Sequence, residues 1–181
     1  FGASSVAVSV NRDVTQGVMR RIRTLPIRPA TVLAGHIVAS MLRNLLATGI
    51  VIGVALAIGF RPTAVLADWL LVLALVALWV LAITALFAFI GLVSSSPEAA
   101  NGYGFALLFL PYVSSAFVPI ATMPAWMQPI ATHQPINLLV ESIRSLLVGQ
   151  GEPRVPVSLA WCVGIIVVSA ALVVWRFPRQ H

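Results

Sequence analysis

The chain has 181 residues, of which 60% are hydrophobic and 9% are charged, and its formal net charge is +6. Soluble domains carry about 25% charged residues, so this composition excludes a soluble globular protein and predicts an integral membrane protein. The basic residues, all arginine, flank apolar segments rather than forming a soluble basic domain, which argues against nucleic-acid binding. The one cysteine, Cys162, excludes an internal disulfide framework and a cysteine-based metal site.

Residues 1–10 are apolar but too short to cross a bilayer. Ten helical residues rise about 15 Å, whereas the hydrocarbon core is about 30 Å thick. We therefore expect a partial span, the end of a helix that starts ahead of Phe1. A signal peptide is not expected, because no basic region precedes these residues.

Residues 11–28 hold five of the eleven arginines and have the pattern of an amphipathic helix. At helical spacing one stripe is apolar and consists of Val14, Val18, Ile22 and Leu25. Pro26 and Pro29 end the helix, because proline removes a donor and constrains the residue before it. Two roles fit the pattern and stay open: a surface anchor held by anionic lipid, and a docking element for a cytoplasmic partner.

A helix is expected to begin at about Thr31 and to lead into the membrane. Arg43 lies just before an uncharged run, where a long side chain can extend its charge to the lipid headgroups. A buried charge in a transport path is the functional alternative for this arginine. The histidine of this helix, His36, has no evident partner in the sequence.

Four apolar segments are long enough to span the bilayer. They are residues 44–60, 69–93, 103–120 and 159–175. Residues 61–68 and 94–102 are expected to be a loop and a turn. The third span contains two prolines, and Pro111 with Ser114 and Ser115 is expected to open its helix locally.

Residues 121–158 are too broken by proline to form another span, but they contain an amphipathic helix predicted over residues 136–148. The polar side of this helix holds Asn137, Glu141, Arg144 and Ser145. The helix is too short to cross the membrane, so we expect it to be interfacial or re-entrant, with Gly149 at its end. Glu141 and Arg144 have the i,i+3 spacing of a helical ion pair.

The arginines indicate the orientation, because cytoplasmic loops are enriched in basic residues. When successive loops are assigned to opposite faces of the membrane, eight arginines lie on one face. They are Arg12, Arg20, Arg21, Arg23, Arg28, Arg43, Arg176 and Arg179. The other side has only Arg61, Arg144 and Arg154. Residues 11–30 and the C-terminus are therefore expected in the cytoplasm, and residues 121–158 outside.

The expected fold class is all-α and integral to the membrane. It is a polytopic helical bundle with four full spans, a partial N-terminal span, a cytoplasmic amphipathic helix and an external re-entrant or interfacial helix. Catalytic signatures such as a Walker A loop, HExxH or GxSxG do not occur in the sequence. We therefore expect neither a metal site nor a cofactor in this chain, and ATP hydrolysis would require a separate polypeptide.

Two stretches resemble a known family. Residues 13–26, DVTQGVMRRIRTLP, followed by Gly35, resemble the cytoplasmic segment of ABC-2-type exporter permeases. A second set of motifs resembles that family's external segment before the last helix. The set consists of FVP at 117–119, MPAWMQP at 123–129, QP at 134–135 and ESIR at 141–144. Within the family the pattern is similar to the daunorubicin-resistance-type (DrrB-like) permeases of actinobacteria. The resemblance covers essentially the whole chain.

The resemblance implies a six-span permease that forms a homo- or heterodimer in the bacterial plasma membrane. This chain would then lack about one and a half of the N-terminal spans. Each permease would dock on a cytoplasmic ABC ATPase, which binds ATP and Mg²⁺ and drives a hydrophobic drug, lipid or polyketide-type substrate outward. The implied ATPase-coupling segment includes Asp13, Gly17, Val18, Arg20, Arg21, Ile22, Arg23 and Pro26. The implied external motif includes Pro124, Trp126, Pro135, Glu141 and Arg144. The implied substrate path between protomers makes Phe109, Tyr112 and Ser115 candidate lining residues.

Two other classes stay open. One is a non-transporting or degenerate membrane scaffold fragment. The other is an intramembrane enzyme, which would need at least two ionisable residues facing each other at membrane depth. The predicted spans after Arg43 contain none, so the enzyme is the weaker of the two alternatives. An adjacent gene that encodes an ABC ATPase would favour the exporter.

Overall fold

The structure is a computed structural model that describes residues 2–16, 29–149, 151 and 154–176. Within these residues the chain forms seven α-helices and two short 3₁₀ helices, and no β-strand. The α-helices are α1 (Ser4–Thr15), α2 (Pro29–Ile58), α3 (Leu66–Val93), α4 (Pro97–Leu108), α5 (Gln128–His133), α6 (Pro135–Val148) and α7 (Val155–Arg176). The 3₁₀ helices are Leu110–Val113 and Ile120–Thr122. The all-α class predicted from the sequence is confirmed.

Three helices among the described residues are long and apolar enough to cross a membrane. They are Leu33–Ile58 within α2, Leu66–Val93 and Val155–Arg176. These helices contain or overlap three of the four predicted spans, but α2 begins well before residue 44. Pro29 occupies its first position, where the missing proline N–H would have no helical acceptor in any case. The prediction that a helix begins at about Thr31 and leads into the membrane is confirmed to within two residues, and Arg43 lies inside this helix.

The remaining predicted span, residues 103–120, is not a single helix. The helix in this region, α4, ends at Leu108, and a 3₁₀ helix that contains Pro111 follows. Twelve residues rise about 18 Å, which is short of the hydrocarbon core. The break that the sequence predicts at Pro111 is confirmed, whereas the expected full span is not formed by one helix.

Residues 94–102 were expected to be a turn, but α4 already begins at Pro97. The hydroxyl of Ser96 accepts a hydrogen bond from the backbone N–H of Ala99 at 3.2 Å, as an N-cap side chain does. The combination of a capping serine and a proline at the first helical position starts the helix within the segment that looked like a loop.

The central helix of the bundle is α3, which contacts α1, α2, α4, α6 and α7. Small residues allow α1 to cross it closely: a Cβ atom on Gly91 would lie 2.4 Å from the carbonyl oxygen of Ala7. Such backbone approach is typical of helix pairs in membranes. On the α2 side, the buried hydroxyl groups of Ser40 and Thr84 lie 3.4 Å apart.

One hydrogen bond indicates which loops share an end of the bundle. The backbone N–H of Thr63, between α2 and α3, donates to the carbonyl oxygen of Leu147 near the end of α6, at 3.0 Å. The loop over residues 61–68 and the C-terminal end of α6 therefore lie together, as the alternation of loops requires.

Candidate functional site

The predicted coupling segment begins in α1, which does not stop where the sequence suggested. A partial span was expected to end at residue 10 and an amphipathic helix to begin at residue 11, but α1 runs through both from Ser4 to Thr15. Of the predicted coupling residues, Asp13 is in this helix. The others lie outside the described residues, namely Gly17, Val18, Arg20, Arg21, Ile22, Arg23 and Pro26.

Asn11 fastens α1 to the end of α3. Its side chain is 1% exposed, and its Nδ2 donates to the carbonyl oxygens of Gly91 at 3.1 Å and Ser94 at 2.6 Å. The last carbonyl groups of a helix have no partner within the helix, and a buried one must find a donor elsewhere. Asn11 supplies that donor. Nothing in the local sequence pattern indicated this role of Asn11, because its acceptors are 80 and 83 residues away in the chain.

Asp13 makes a second connection, to α2. Its Oδ2 lies 2.7 Å from Nε2 of His36, and the two side chains are 25% and 29% exposed. Among the described residues this is the one ion-pair contact within 4 Å, and it depends on a protonated imidazole. This contact could not be predicted from the sequence, because no local pattern relates two residues that are 23 positions apart. The expectation that His36 has no partner was wrong.

Arg43, farther along α2, is exposed rather than buried in the isolated chain. Its guanidinium NH1 donates to the hydroxyl of Ser5 on α1 at 3.3 Å.

At the other end of the bundle, side chains of α6 hold the irregular segment that follows α4. The backbone N–H of Ser115 donates to Oδ1 of Asn137 at 2.8 Å, and NH2 of Arg144 donates to the carbonyl oxygen of Ser115 at 2.9 Å. Two side chains of α6 therefore bind both the N–H group and the carbonyl group of Ser115. Gln134, the N-cap residue of α6, donates to the carbonyl oxygens of Leu110 and Val113.

These contacts give α6 a buried polar face in addition to its apolar one. Gln134, Asn137, Glu141 and Arg144 are spaced three, four and three residues apart, so they form one stripe of the helix. Asn137, Glu141 and Arg144 were predicted on the polar side of the helix, yet Asn137 is fully buried. The physical reason is that backbone groups freed by a broken helix need partners where water is scarce. Leu139, which lies on the apolar side of the predicted helix, is also buried. The helix therefore buries more than one face.

The expected ion pair between Glu141 and Arg144 is not formed. Oε1 of Glu141 accepts a hydrogen bond from Nδ2 of Asn137 at 2.9 Å, while Arg144 reaches the backbone of Ser115. The two charged residues of the external motif thus take part in the same network without contacting each other. The prediction that α6 ends at Gly149 is confirmed, since this glycine has a left-handed backbone with φ of 68°.

The three candidate path residues lie on the segment that α6 holds. Phe109 and Tyr112 are 67% and 63% exposed, and the ring of Tyr112 stacks on Phe117 with centroids 5.1 Å apart. Ser115 differs from them, because its backbone is bonded to α6 and its hydroxyl is buried. The geometry therefore presents two of the three as surface side chains and the third as a structural position.

The remaining external motif residues shape the turn before α6. The carbonyl oxygen of Pro124 accepts a hydrogen bond from the backbone N–H of Met127 at 2.8 Å, and Trp126 is 68% exposed. Pro135 is the first residue of α6.

A separate apolar cavity of about 240 Å³ lies within the protomer, between α3, α4 and α7. Its lining includes Trp79, Ile83, Phe87, Phe105, Pro111 and Ile165. The candidate path residues Phe109, Tyr112 and Ser115 do not line it.

The chain matches known proteins over most of its length. The family described as "ABC-2 type transporter" matches residues 1–148. The chain is 28% identical over 171 residues to "Probable doxorubicin resistance ABC transporter permease protein DrrC" of Mycobacterium tuberculosis, which is 93% of the chain and 62% of that protein. It is 31% identical over 167 residues to "Daunorubicin resistance ABC transporter permease protein DrrB1" of Streptomyces coeruleorubidus, which is 91% of the chain and 56% of that protein.

The chain spans less than two thirds of the length of these relatives. The family match nevertheless covers its first helices, the central helix α3 and the external segment through Val148. Helices long and apolar enough to span a membrane fit the same assignment. The chain is therefore a multi-pass membrane protein and belongs to the ABC-2 type transporter family.

Proposed function

We propose that this chain is part of the permease subunit of an ATP-driven exporter that moves a hydrophobic substrate outward across the bacterial plasma membrane. The observation that carries the proposal is the family match over residues 1–148, together with relatives described as doxorubicin and daunorubicin resistance permeases. ATP and Mg²⁺ are bound by a separate ABC ATPase in this proposal, because the sequence contains no Walker A loop.

The coupling segment that begins at Asp13 docks on this ATPase. A segment that transmits a conformational change has to be attached firmly to the helices it moves. The attachment of α1 supports this role, since Asn11 binds the end of α3 and Asp13 contacts His36 on α2. The arginines Arg20, Arg21 and Arg23 meet either acidic groups of the ATPase or lipid phosphates.

The substrate passes between this permease and a second permease chain. The exposed aromatic side chains of Phe109 and Tyr112 support this path, because an apolar aromatic surface suits a lipophilic drug, a lipid or a polyketide-type compound. In this arrangement lipid and the second chain cover the exposed apolar side of α2, which includes Leu46, Ile50 and Ile58.

The orientation follows the arginine asymmetry, with the C-terminus and the coupling segment in the cytoplasm. The hydrogen bond between Thr63 and Leu147 supports this topology, because it joins two loops that the asymmetry places on the same, external side.

The test is to co-express the permease, as its gene encodes it, with the ABC ATPase encoded beside it, and to reconstitute the purified complex into liposomes. Daunorubicin is the first probe and a fluorescent lipid the second. We expect the ATPase to co-purify and to drive accumulation of a probe in vesicles whose ATPase faces the medium. A Walker A lysine variant of the ATPase is the control, and it should abolish accumulation. Failure of the two proteins to associate, with no ATP-dependent uptake of either probe, would contradict the proposal.

A further inference from the structure

A buried polar contact joins α1 to the end of α3. Both acceptors of Asn11, the carbonyl oxygens of Gly91 and Ser94, belong to the last residues of that helix or its cap. The asparagine is 1% exposed, so water cannot replace the donor if it is removed. An unsatisfied buried carbonyl group is costly, and the helix end would have to shift to find another donor.

The packing beside Asn11 leaves little freedom for the two helices to slide. One turn before Asn11, the backbone of Ala7 lies against Gly91, where even a methyl group would collide with the Ala7 carbonyl oxygen. Val10 is completely buried in the same interface. The amide contact and the close crossing therefore fix α1 and α3 to each other as one unit.

α3 is also the helix that reaches the opposite end of the bundle. It contacts α6, and α6 holds the peptide groups of Ser115 through Asn137 and Arg144. A continuous series of packed helices and buried hydrogen bonds thus runs from the beginning of the coupling segment to the external segment. Such contiguous networks can carry coupling between distant sites, provided that one of their elements has two arrangements.

We propose that Asn11 is a positioning residue for energy coupling: it transfers movement of the coupling segment to α3 and thereby to the external segment. The inference rests on the proposed exporter function and adds a specific residue to it. Asn11 does not contact the ATPase or the substrate in this scheme. Its role is to keep α1 and α3 moving together when the ATPase closes.

The experiment measures the number of daunorubicin molecules transported per ATP hydrolysed, using the reconstituted permease–ATPase complex. Asn11→Leu keeps the size of the side chain and removes the donor. We expect this ratio to fall, because α1 then moves without carrying the end of α3 with it, and part of the ATP hydrolysis no longer drives transport. A simple loss of folded protein would lower the amount of complex but leave the ratio for the remaining complexes unchanged.

Asn11→Asp gives a sharper test, because the new side chain can donate to a carbonyl oxygen only when it is protonated. Burial raises the pKa of a carboxyl group, so the donor is present at low pH and is lost as pH rises. The transport ratio of this variant should therefore fall with increasing pH. Asn101→Asp is the matched control, since Asn101 is exposed on α4. Both variants retain Asp13, His36 and Glu98, so titration of these native groups affects them alike.

The inference is supported if Asn11→Leu lowers the transport ratio and Asn11→Asp shows a steeper fall with pH than Asn101→Asp. It is overturned if Asn11→Leu keeps the wild-type ratio, or if the two aspartate variants have the same pH dependence. If the wild-type permease neither binds the ATPase nor takes up a probe, the proposed exporter function itself fails. The two failures are therefore distinguishable.

Discussion

Oδ1 of Asn137 accepts a hydrogen bond from the backbone N–H of Ser115 at 2.8 Å, and Asn137 is fully buried on α6. The contact bridges 22 residues of chain, most of them outside regular helices. The hydrogen bond gives the broken part of the predicted span over residues 103–120 a defined backbone conformation. Three further contacts from the same stripe, made by Gln134 and Arg144, act on the same segment.

The first prediction is that Asn137→Leu destabilises the permease. The substitution leaves the N–H of Ser115 buried without an acceptor, which costs about 1–3 kcal/mol. We expect a lower midpoint of thermal unfolding in detergent, measured by loss of monodisperse protein after heating. Ser145→Ala is the control, because the Ser145 hydroxyl bonds only to a carbonyl oxygen of its own helix, that of Ser142.

Arg144 offers a direct check of the same network. Arg144→Met should also destabilise the protein, and the double variant with Asn137→Leu should lose less than the sum of the two single losses. The reason is that both side chains hold the Ser115 backbone, and residues that share a partner are not additive. Strict additivity of the two effects would show that they act on independent features.

A second prediction concerns the crossing of α1 and α3. Gly91→Ala places a methyl group 2.4 Å from the Ala7 carbonyl oxygen, so the helices must separate. Overpacking of this kind costs about 1–3 kcal/mol, and we expect less folded permease in the membrane and a lower unfolding midpoint. Gly53→Ala on α2 is the control, since nothing lies within 4 Å of its added Cβ. Equal tolerance of both substitutions would contradict the close crossing.

A third prediction separates docking from lipid anchoring in the coupling segment. An exposed ion pair contributes only about 0–1 kcal/mol, so a docking helix should depend mainly on its apolar face. Anchoring instead depends on charge, at about 1 kcal/mol for each arginine near an anionic surface. We expect Val18→Asp or Ile22→Asp to abolish co-purification of the ATPase, and Arg20→Ala only to weaken it.

The control for this prediction is membrane insertion, which should persist in all three variants because the predicted spans are unchanged. Retention of the ATPase by Val18→Asp would identify the segment as a surface anchor and remove it from the coupling role.

The fourth prediction concerns orientation. In a Cys162→Ser background, Trp126→Cys should react with an impermeant maleimide added to intact cells, because Trp126 is exposed on the predicted external side. Gln16→Cys, exposed at the end of α1, should react only after the membrane is permeabilised. Labelling of the second variant in intact cells would reverse the proposed topology.

The fifth prediction is a pH dependence at the start of α4. The pKa of Glu98 is lowered below its ordinary value of 4.5, first by a hydrogen bond from its own backbone N–H and then by the Ser96 hydroxyl. A carboxylate with a lowered pKa stabilises the folded state above its ordinary pKa, and this contribution is lost as pH falls through the lowered value.

Glu98→Gln should therefore lower the unfolding midpoint at neutral pH, and its difference from the wild type should shrink as the pH is reduced below 4.5. Ser96→Ala removes one of the two donors and should reduce the same pH dependence. A difference that stays constant with pH would show that the carboxylate has no role at this helix end.

The sequence was sufficient to predict the helical class and the positions of the long apolar helices, because both depend on composition and local periodicity. It also identified the break at Pro111 and the end of α6 at Gly149, since proline and glycine act on their own backbone. The start of α4 was missed because SSSPE looks like a loop until Ser96 is recognised as an N-cap residue.

The candidate site was harder to predict, because its contacts join residues far apart in the chain. Polarity alone placed Asn137 on the polar side of its helix, and no local pattern singled out Asn11, whereas both are buried and bind backbone groups of other elements. A stripe of polar residues on an amphipathic helix faces water only if no broken helix nearby needs donors and acceptors. The sequence contained the broken helix and the stripe, but not their proximity.

The contact of Asn11 has a consequence for the order in which the protein is assembled. Its acceptors are synthesised 80 and 83 residues after the asparagine itself. During translation, α1 therefore leaves the ribosome with an amide that has no partner, and the later helix end arrives with carbonyl groups that need one. The contact between α1 and α3 can form only when both have been inserted. Biogenesis of this protein thus includes a late docking step, during which the nascent chain exposes a polar side chain that the mature protein conceals.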